Sequence, residues 1–175
     1  MALARGLIQV YTGDGKGKTT AALGLALRAA GHGLRVEIVQ FMKGWPGYGE
    51  LRGVEQLATV AIHPFGRSGW VHPDHAEPED YEQAVEALAY ARQAMTSGKA
   101  DIVVLDEVNV ALDYGLLDLE AVLALLDDKP PTMELILTGR NAHPEVIHQA
   151  DLVTEMRKVK HPYDQGIHGR QGIDF

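Results

Sequence analysis

The chain predicts an α/β fold, a single domain whose mainly parallel sheet is covered by helices on both faces, and three observations predict it. Short, near-continuously apolar runs recur, such as Asp101–Leu105 (DIVVL) and Met133–Thr138 (MELILT). Segments rich in helix formers alternate with them. The first apolar run leads into a Gly-rich turn that opens a helix. Strands that are apolar on both faces belong to parallel sheets sandwiched between helices. No linker, internal repeat or low-complexity stretch divides the 175 residues, so one domain over residues 1–175 is expected.

Leu7–Tyr11 (LIQVY) is β-prone and ends at the Gly-rich turn. Thr19–Ala30 is Ala-rich and helical, and Gly31-His32-Gly33 stops it. Arg35–Phe41 reads as the second strand. Lys43–Arg52 holds Gly, Pro and aromatic residues, which predicts a loop with at most a helical turn. Ala58–His63 is a weaker strand, and Phe65–Pro78 is a long aperiodic loop of the kind that usually carries function. Glu79–Thr96 is the clearest helix, with a stripe of Tyr81, Ala84, Val85, Leu88, Arg92 and Met95 in which only Arg92 is not apolar. Asp101–Leu105 is a strand, Asp118–Leu126 a short helix and Met133–Thr138 a strand after Pro130-Pro131. Pro144–Gln149 fits one or two helical turns and Leu152–Met156 a last strand. The tail, Lys158–Phe175, is polar and Gly-rich.

Composition narrows the function. No apolar run approaches the roughly 20 residues needed to span a bilayer, and Met1–Gly6 is too short for a signal peptide. The chain has no cysteine, which excludes disulfides, iron–sulfur clusters and Cys-ligated zinc. A cytoplasmic protein without a membrane partner is expected. The net charge of −8 argues against a general nucleic-acid binder, whose affinity rests on neutralising phosphates. A local basic loop that suits a small anion is present.

That loop is Thr12-Gly13-Asp14-Gly15-Lys16-Gly17-Lys18-Thr19-Thr20. Glycines let backbone N–H groups turn inward around phosphate oxygens, and the helix that follows adds the positive end of its dipole. Lys18 would place an ammonium on the phosphates, and Thr19 could offer its hydroxyl to Mg²⁺. The usual GxxxxGK[ST] pattern is one residue short here, because its first glycine would fall on Thr12. Downstream, Val103-Val104-Leu105-Asp106-Glu107 is an apolar strand ending in two carboxylates. Ligands of such sheets bind at the carboxyl ends of strands, where one carboxylate can hold Mg²⁺ directly or through water. A Gly-rich helix cap and a strand ending in solvated acids are the bland alternatives.

GDGKGKTT at Gly13–Thr20, VQFMKG at Val39–Gly44, VVLDE at Val103–Glu107, LTGR at Leu137–Arg140 and VKHPYDQGIHGRQGIDF at Val159–Phe175 together closely resemble the corrinoid adenosyltransferases of cobalamin biosynthesis and salvage. The resemblance spans nearly the whole chain with the motifs in family order. It implies a RecA-like P-loop domain, commonly a homodimer, served by a flavoprotein reductant. It implies transfer of the 5′-deoxyadenosyl group of ATP to the Co(I) of a reduced corrinoid with release of triphosphate, ATP lying reversed relative to other P-loop enzymes. On matching positions it implies that Gly13, Asp14, Gly15, Lys16, Gly17, Lys18, Thr19 and Thr20 hold the triphosphate. It implies that Thr19 and Glu107 bind Mg²⁺ with Asp106 as an outer partner, and that Lys43 and Arg140 contact ligand.

The family often carries Gly-Phe-x-Trp after the third strand, whose aromatics are thought to displace the lower axial ligand of cobalt. Gly66–His72 (GRSGWVH) has Trp70 at the Phe position and His72 at the Trp position. Some members have an N-terminal helical lid; this chain opens almost directly on its first strand, so corrinoid closure would be absent or use another segment. His72-Pro73-Asp74-His75 lacks the helical geometry of a metal site, and His161 and Asp164 would serve to order the tail. Two rival readings keep the phosphate loop but not the reaction: a kinase or ATPase cleaving the β–γ bond, and a non-catalytic ATP-binding regulatory module.

Overall fold

A computed structural model describes residues 3–175. Its sheet has six strands: β1 (Ile8–Thr12), β2 (Val36–Gln40), β3 (Val60–Pro64), β4 (Ile102–Asp106), β5 (Glu134–Thr138) and β6 (Leu152–Glu155). They lie in the order β3-β2-β4-β5-β1-β6, and every pairing is parallel. The six helices are α1 (Lys18–Gly31), α2 (Gly49–Val54), α3 (Pro78–Thr96), α4 (Val108–Asp113), α5 (Leu119–Asp127) and α6 (Pro144–Gln149). Short 3-10 turns at Pro73–His75 and Pro162–Gln165 punctuate the long loop and the tail.

Alternation along the strands builds two cores. Ile38, Val104 and Ile136 face α1 and α2, while Val39, Val103, Leu105, Leu135 and Leu137 face α3, α4 and α5. The β2, β4 and β5 strands, central to the sheet, are therefore apolar on both sides, as their sequences predicted. Polarity returns at their carboxyl ends. Gln40 pairs in register with Asp106, and Thr138 stands one step beyond the Leu105–Leu137 pair. Gln40, Asp106 and Thr138 follow Ile38, Val104 and Ile136 by two residues, so all three point to the α1 side.

Two expectations are corrected. The buried stripe of α3 is Ala84, Ala87, Leu88, Ala91, Ala94 and Met95, whereas Tyr81 and Val85 are exposed. Alanines let the helix lie close to β2 and β4, and the larger apolar residues are displaced to its flank. Arg92 stays outside the core and pairs with Asp128. The second correction is α4, a six-residue helix where no element was expected. It starts directly after the strand-end carboxylates and packs against β5.

Candidate active site

The loop between β1 and α1 wraps as a phosphate loop should. Gly13 and Gly17 sit at φ 95° and 122°, a region L-residues rarely adopt. A Cβ on Gly13 would also lie 2.5 Å from the Met156 carbonyl oxygen. The Lys18 ammonium folds back into the loop and donates to the carbonyls of Gly13 and Gly15, 2.8 Å each. Burial lowers its pKa, with the Glu107 carboxylate pulling the other way. The two carbonyls satisfy an ammonium that burial would otherwise penalise. Thr20 and Lys16 are exposed on the rim, and Asp14 turns toward the tail.

Thr19, the second residue of α1, donates its hydroxyl to Asp106 Oδ1 at 2.8 Å. Thr138 donates to the same oxygen at 2.7 Å. The other oxygen, Oδ2, receives Lys43 Nζ at 2.7 Å and Gln40 Nε2 at 3.2 Å. Four donors saturate a carboxylate that has about four lone-pair sites. Burial pushes the Asp106 carboxyl up, but Lys43 and these hydrogen bonds outweigh it and hold its pKa below the usual value. Lys43, itself largely buried, is correspondingly raised. Glu50, from α2, sits 3.8 Å from Lys43 and accepts from Gln40 at 3.2 Å.

Glu107 differs in kind. Its backbone is left-handed at φ 66°, held by an N–H donated to Thr138 Oγ1 at 3.0 Å. That turn sends the chain from β4 into α4 and gives adjacent carboxylates different surroundings. Among the described residues no protein donor is bound to the Glu107 carboxylate. Burial raises its pKa, the Asp106 charge adds to the rise, and Lys43, Lys18 and Arg140 oppose it. A carboxylate without a protein donor, one residue on from the Asp106 that holds the Thr19 hydroxyl, is a hard oxygen ligand of the type Mg²⁺ takes. Gly139 has φ 132°, and a Cβ there would come within 2.9 Å of Val110 N. The glycine thus lets the β5–α6 loop, with exposed Arg140, pass close over α4.

The loop after β3 is anchored to the same edge. Lys43 N–H donates to the Phe65 carbonyl at 2.9 Å, and a Cβ on Gly44 would collide with the Gly66 carbonyl. Arg67 grips Asp80, at the start of α3, through two bonds of 2.8 and 2.7 Å. From this base Trp70 projects with 98% of its surface exposed. That rules out a core-packing role for Trp70 in this chain. His72 accepts from Asp74 N–H at 3.3 Å and caps the short turn. Among the described residues no group of three or more His, Asp or Glu could hold a metal ion.

The structure thus brings Lys18, Thr19, Asp106, Glu107 and Lys43 together, with Arg140 at the rim. Gln40, Glu50 and Thr138 join them, although the sequence reading assigned none of the three. Gln40 and Thr138 left a signal: each is a polar residue closing an otherwise apolar strand.

A profile described as ATP:corrinoid adenosyltransferase BtuR/CobO/CobP matches residues 4–175. The chain belongs to that family. It is 39% identical to the corrinoid adenosyltransferase of Escherichia coli K12 over 172 residues, 98% of this chain and 86% of that protein. Identity to the Pseudomonas aeruginosa PAO1 corrinoid adenosyltransferase is 38%, over 98% of this chain and 84% of the relative. The corrinoid adenosyltransferase CobA of Salmonella typhimurium LT2 is also 38% identical, with 98% and 86% covered. The RecA-like P-loop expectation is met by the all-parallel sheet, and an ATP:corrinoid adenosyltransferase is the enzyme class of this chain.

Proposed function

We propose that this chain transfers the 5′-deoxyadenosyl group of ATP to the Co(I) centre of a reduced corrinoid and releases intact triphosphate. Co(I) supplies the electron pair that forms the Co–C5′ bond. The C5′–O bond breaks, and its pair leaves with the triphosphate. The nucleophile carries no proton, so the reaction asks for position and charge rather than for a base. The observation that carries the reading is the saturation of Asp106. The deepest carboxylate of the site is committed to Thr19, Thr138, Lys43 and Gln40, and is not free to take a proton from an acceptor.

In this reading Gly13–Thr20 cradle the triphosphate, with Lys18 and Lys16 countering its charge. Thr19 and Glu107 would hold Mg²⁺, with Asp106 fixing Thr19 from behind. The cation would neutralise charge on the departing triphosphate. Lys43 and Arg140, whose charges both act on the Glu107 carboxylate, would contact ligand. Trp70, exposed on the loop after β3, would meet the corrinoid and favour the state with no lower ligand on cobalt. The same reading has the chain acting in the cytoplasm as a homodimer, fed electrons by a flavoprotein; sedimentation velocity tests the dimer. Among the described residues no helix is long and apolar enough to cross a membrane.

The test is the bond that breaks. With [5′-¹³C]ATP and chemically reduced cob(I)alamin, the label is expected on cobalt, in a light-sensitive product. Label left in ADP, with free phosphate, would favour β–γ cleavage instead.

A further inference from the structure

Three groups of the phosphate loop are engaged by one distant segment. Gly15 N–H donates to the Met156 carbonyl at 2.6 Å. Asp14 Oδ1 accepts from Lys158 N–H at 2.9 Å. Lys16 Nζ lies 2.7 Å from Asp174 Oδ1. The segment that does this, residues 156–175, is almost wholly exposed, and Phe175 is one of its few half-buried side chains. Its ring packs edge-on to Trp45 with centroids 5.4 Å apart, and Trp45 packs on Tyr48 at 5.2 Å. Lys43 Nζ stands 5.5 Å over the Tyr48 ring. The end of the tail therefore runs from the phosphate loop to the β2–α2 loop on the far side of the site.

Asp174 also takes the Arg170 N–H at 2.9 Å and Nε at 3.1 Å. It presents a single negative charge to an ammonium of the phosphate loop, where the phosphates of a nucleotide would present several. Lys16 is 45% exposed, and an ion pair in that setting is weak and readily exchanged.

We propose that residues 170–175 form a strap that triphosphate displaces: Asp174 holds the Lys16 ammonium until a phosphate takes it, and the exchange frees Phe175 from Trp45. The proposal rests on the reading that the loop binds triphosphate. Phe175 follows Asp174 directly, so a shift of the Asp174 backbone away from Lys16 carries the ring with it. Occupancy of the phosphate loop is thereby relayed to the aromatic cluster beside Lys43. After transfer, return of Asp174 to Lys16 competes with the product and speeds its release.

The chain has two tryptophans, so Trp70→Phe leaves Trp45 as sole reporter. The probe is inorganic triphosphate with Mg²⁺, with binding measured by calorimetry and Trp45 emission followed in parallel. The strap predicts a saturable emission change whose midpoint matches the calorimetric Kd. Asp174→Asn, added to Trp70→Phe, is expected to bind triphosphate about two- to five-fold tighter, the worth of one exposed ion pair, and Phe175→Leu in the same background to bind it tighter than the parent by a smaller factor, since only the ring contact to Trp45 is weakened. Both are expected to lose most of the emission change. Phe175→Leu separates the strap from plain charge repulsion, because it leaves Asp174 in place. Binding with unchanged Trp45 emission, or Phe175→Leu binding at the parental affinity, would overturn the strap and leave the phosphate-loop reading standing. Absence of calorimetric binding would overturn both.

Discussion

Lys43→Met tests whether Asp106 depends on a single cation. The methionine keeps the unbranched apolar stem of the lysine out to Cε and removes the ammonium that donates to Asp106. The pair it breaks is 2.7 Å long, and its side chains are 13% and 1% exposed. Breaking a buried pair from one side costs about 3–5 kcal/mol, because the other charge stays behind without compensation. Asp106 keeps its bonds from Thr19, Thr138 and Gln40, which places the loss at the lower end, about 3 kcal/mol. Against a total stability of roughly 5–15 kcal/mol that is a large fraction. In urea, with a slope of about 2 kcal/mol/M, the midpoint is expected to fall by about 1.5 M. Adding Asp106→Asn to Lys43→Met removes the stranded charge and is expected to recover part of the loss. A Lys43→Met midpoint within a few tenths of a molar of the parent would refute Lys43 as the counterion. A double variant less stable than Lys43→Met alone would refute the stranded charge as the cause.

Lys18→Ala is expected to lower transfer at least a hundred-fold while costing about 1 kcal/mol of stability, since only two bonds to loop carbonyls are lost. Steady-state transfer and urea denaturation check the two halves. Trp70→Ala is expected to slow reaction from Co(II) more than from pre-reduced Co(I), and equal losses in both assays would assign Trp70 to binding alone. Asp80→Asn is expected to cost about 2 kcal/mol at neutral pH, because Arg67 loses its buried carboxylate partner and the bond from the Glu77 amide weakens. Arg67 holds the folded pKa of Asp80 below the ordinary carboxylate value, so its stabilisation is present above that value and lost as pH falls below it. The stability gap between parent and Asp80→Asn, measured by urea titration, is therefore expected to close below about pH 4.

The alternation of strands and helices was legible because apolar runs and turn residues mark it directly. Pro144–Gln149 was placed to the residue, having a proline start and a short apolar face. Val108–Asp113 was missed because Val, Asn and Asp have weak helix propensity, and its helicity depends on packing against β5. The α3 stripe was misjudged because pattern reading favours large apolar residues, whereas close approach to a sheet selects alanine. At the site, the phosphate loop and the acidic strand end could be read because each is contiguous. The division of labour between Asp106 and Glu107 follows from a left-handed backbone at Glu107 and from side chains on β2, β5 and α1. Contacts such as Lys16–Asp174 and Asp14–Lys158 join opposite ends of the chain, and no local pattern announces them.

Adenosyl transfer is the proposed work of the phosphate loop. Its most direct test is an anaerobic single turnover of the protein with MgATP and chemically reduced cob(I)alamin, with the visible spectrum followed and the phosphate products separated. The account predicts loss of the Co(I) band, a light-sensitive Co–C product and one intact triphosphate for each corrinoid alkylated. ADP and phosphate with an unchanged corrinoid spectrum would contradict it.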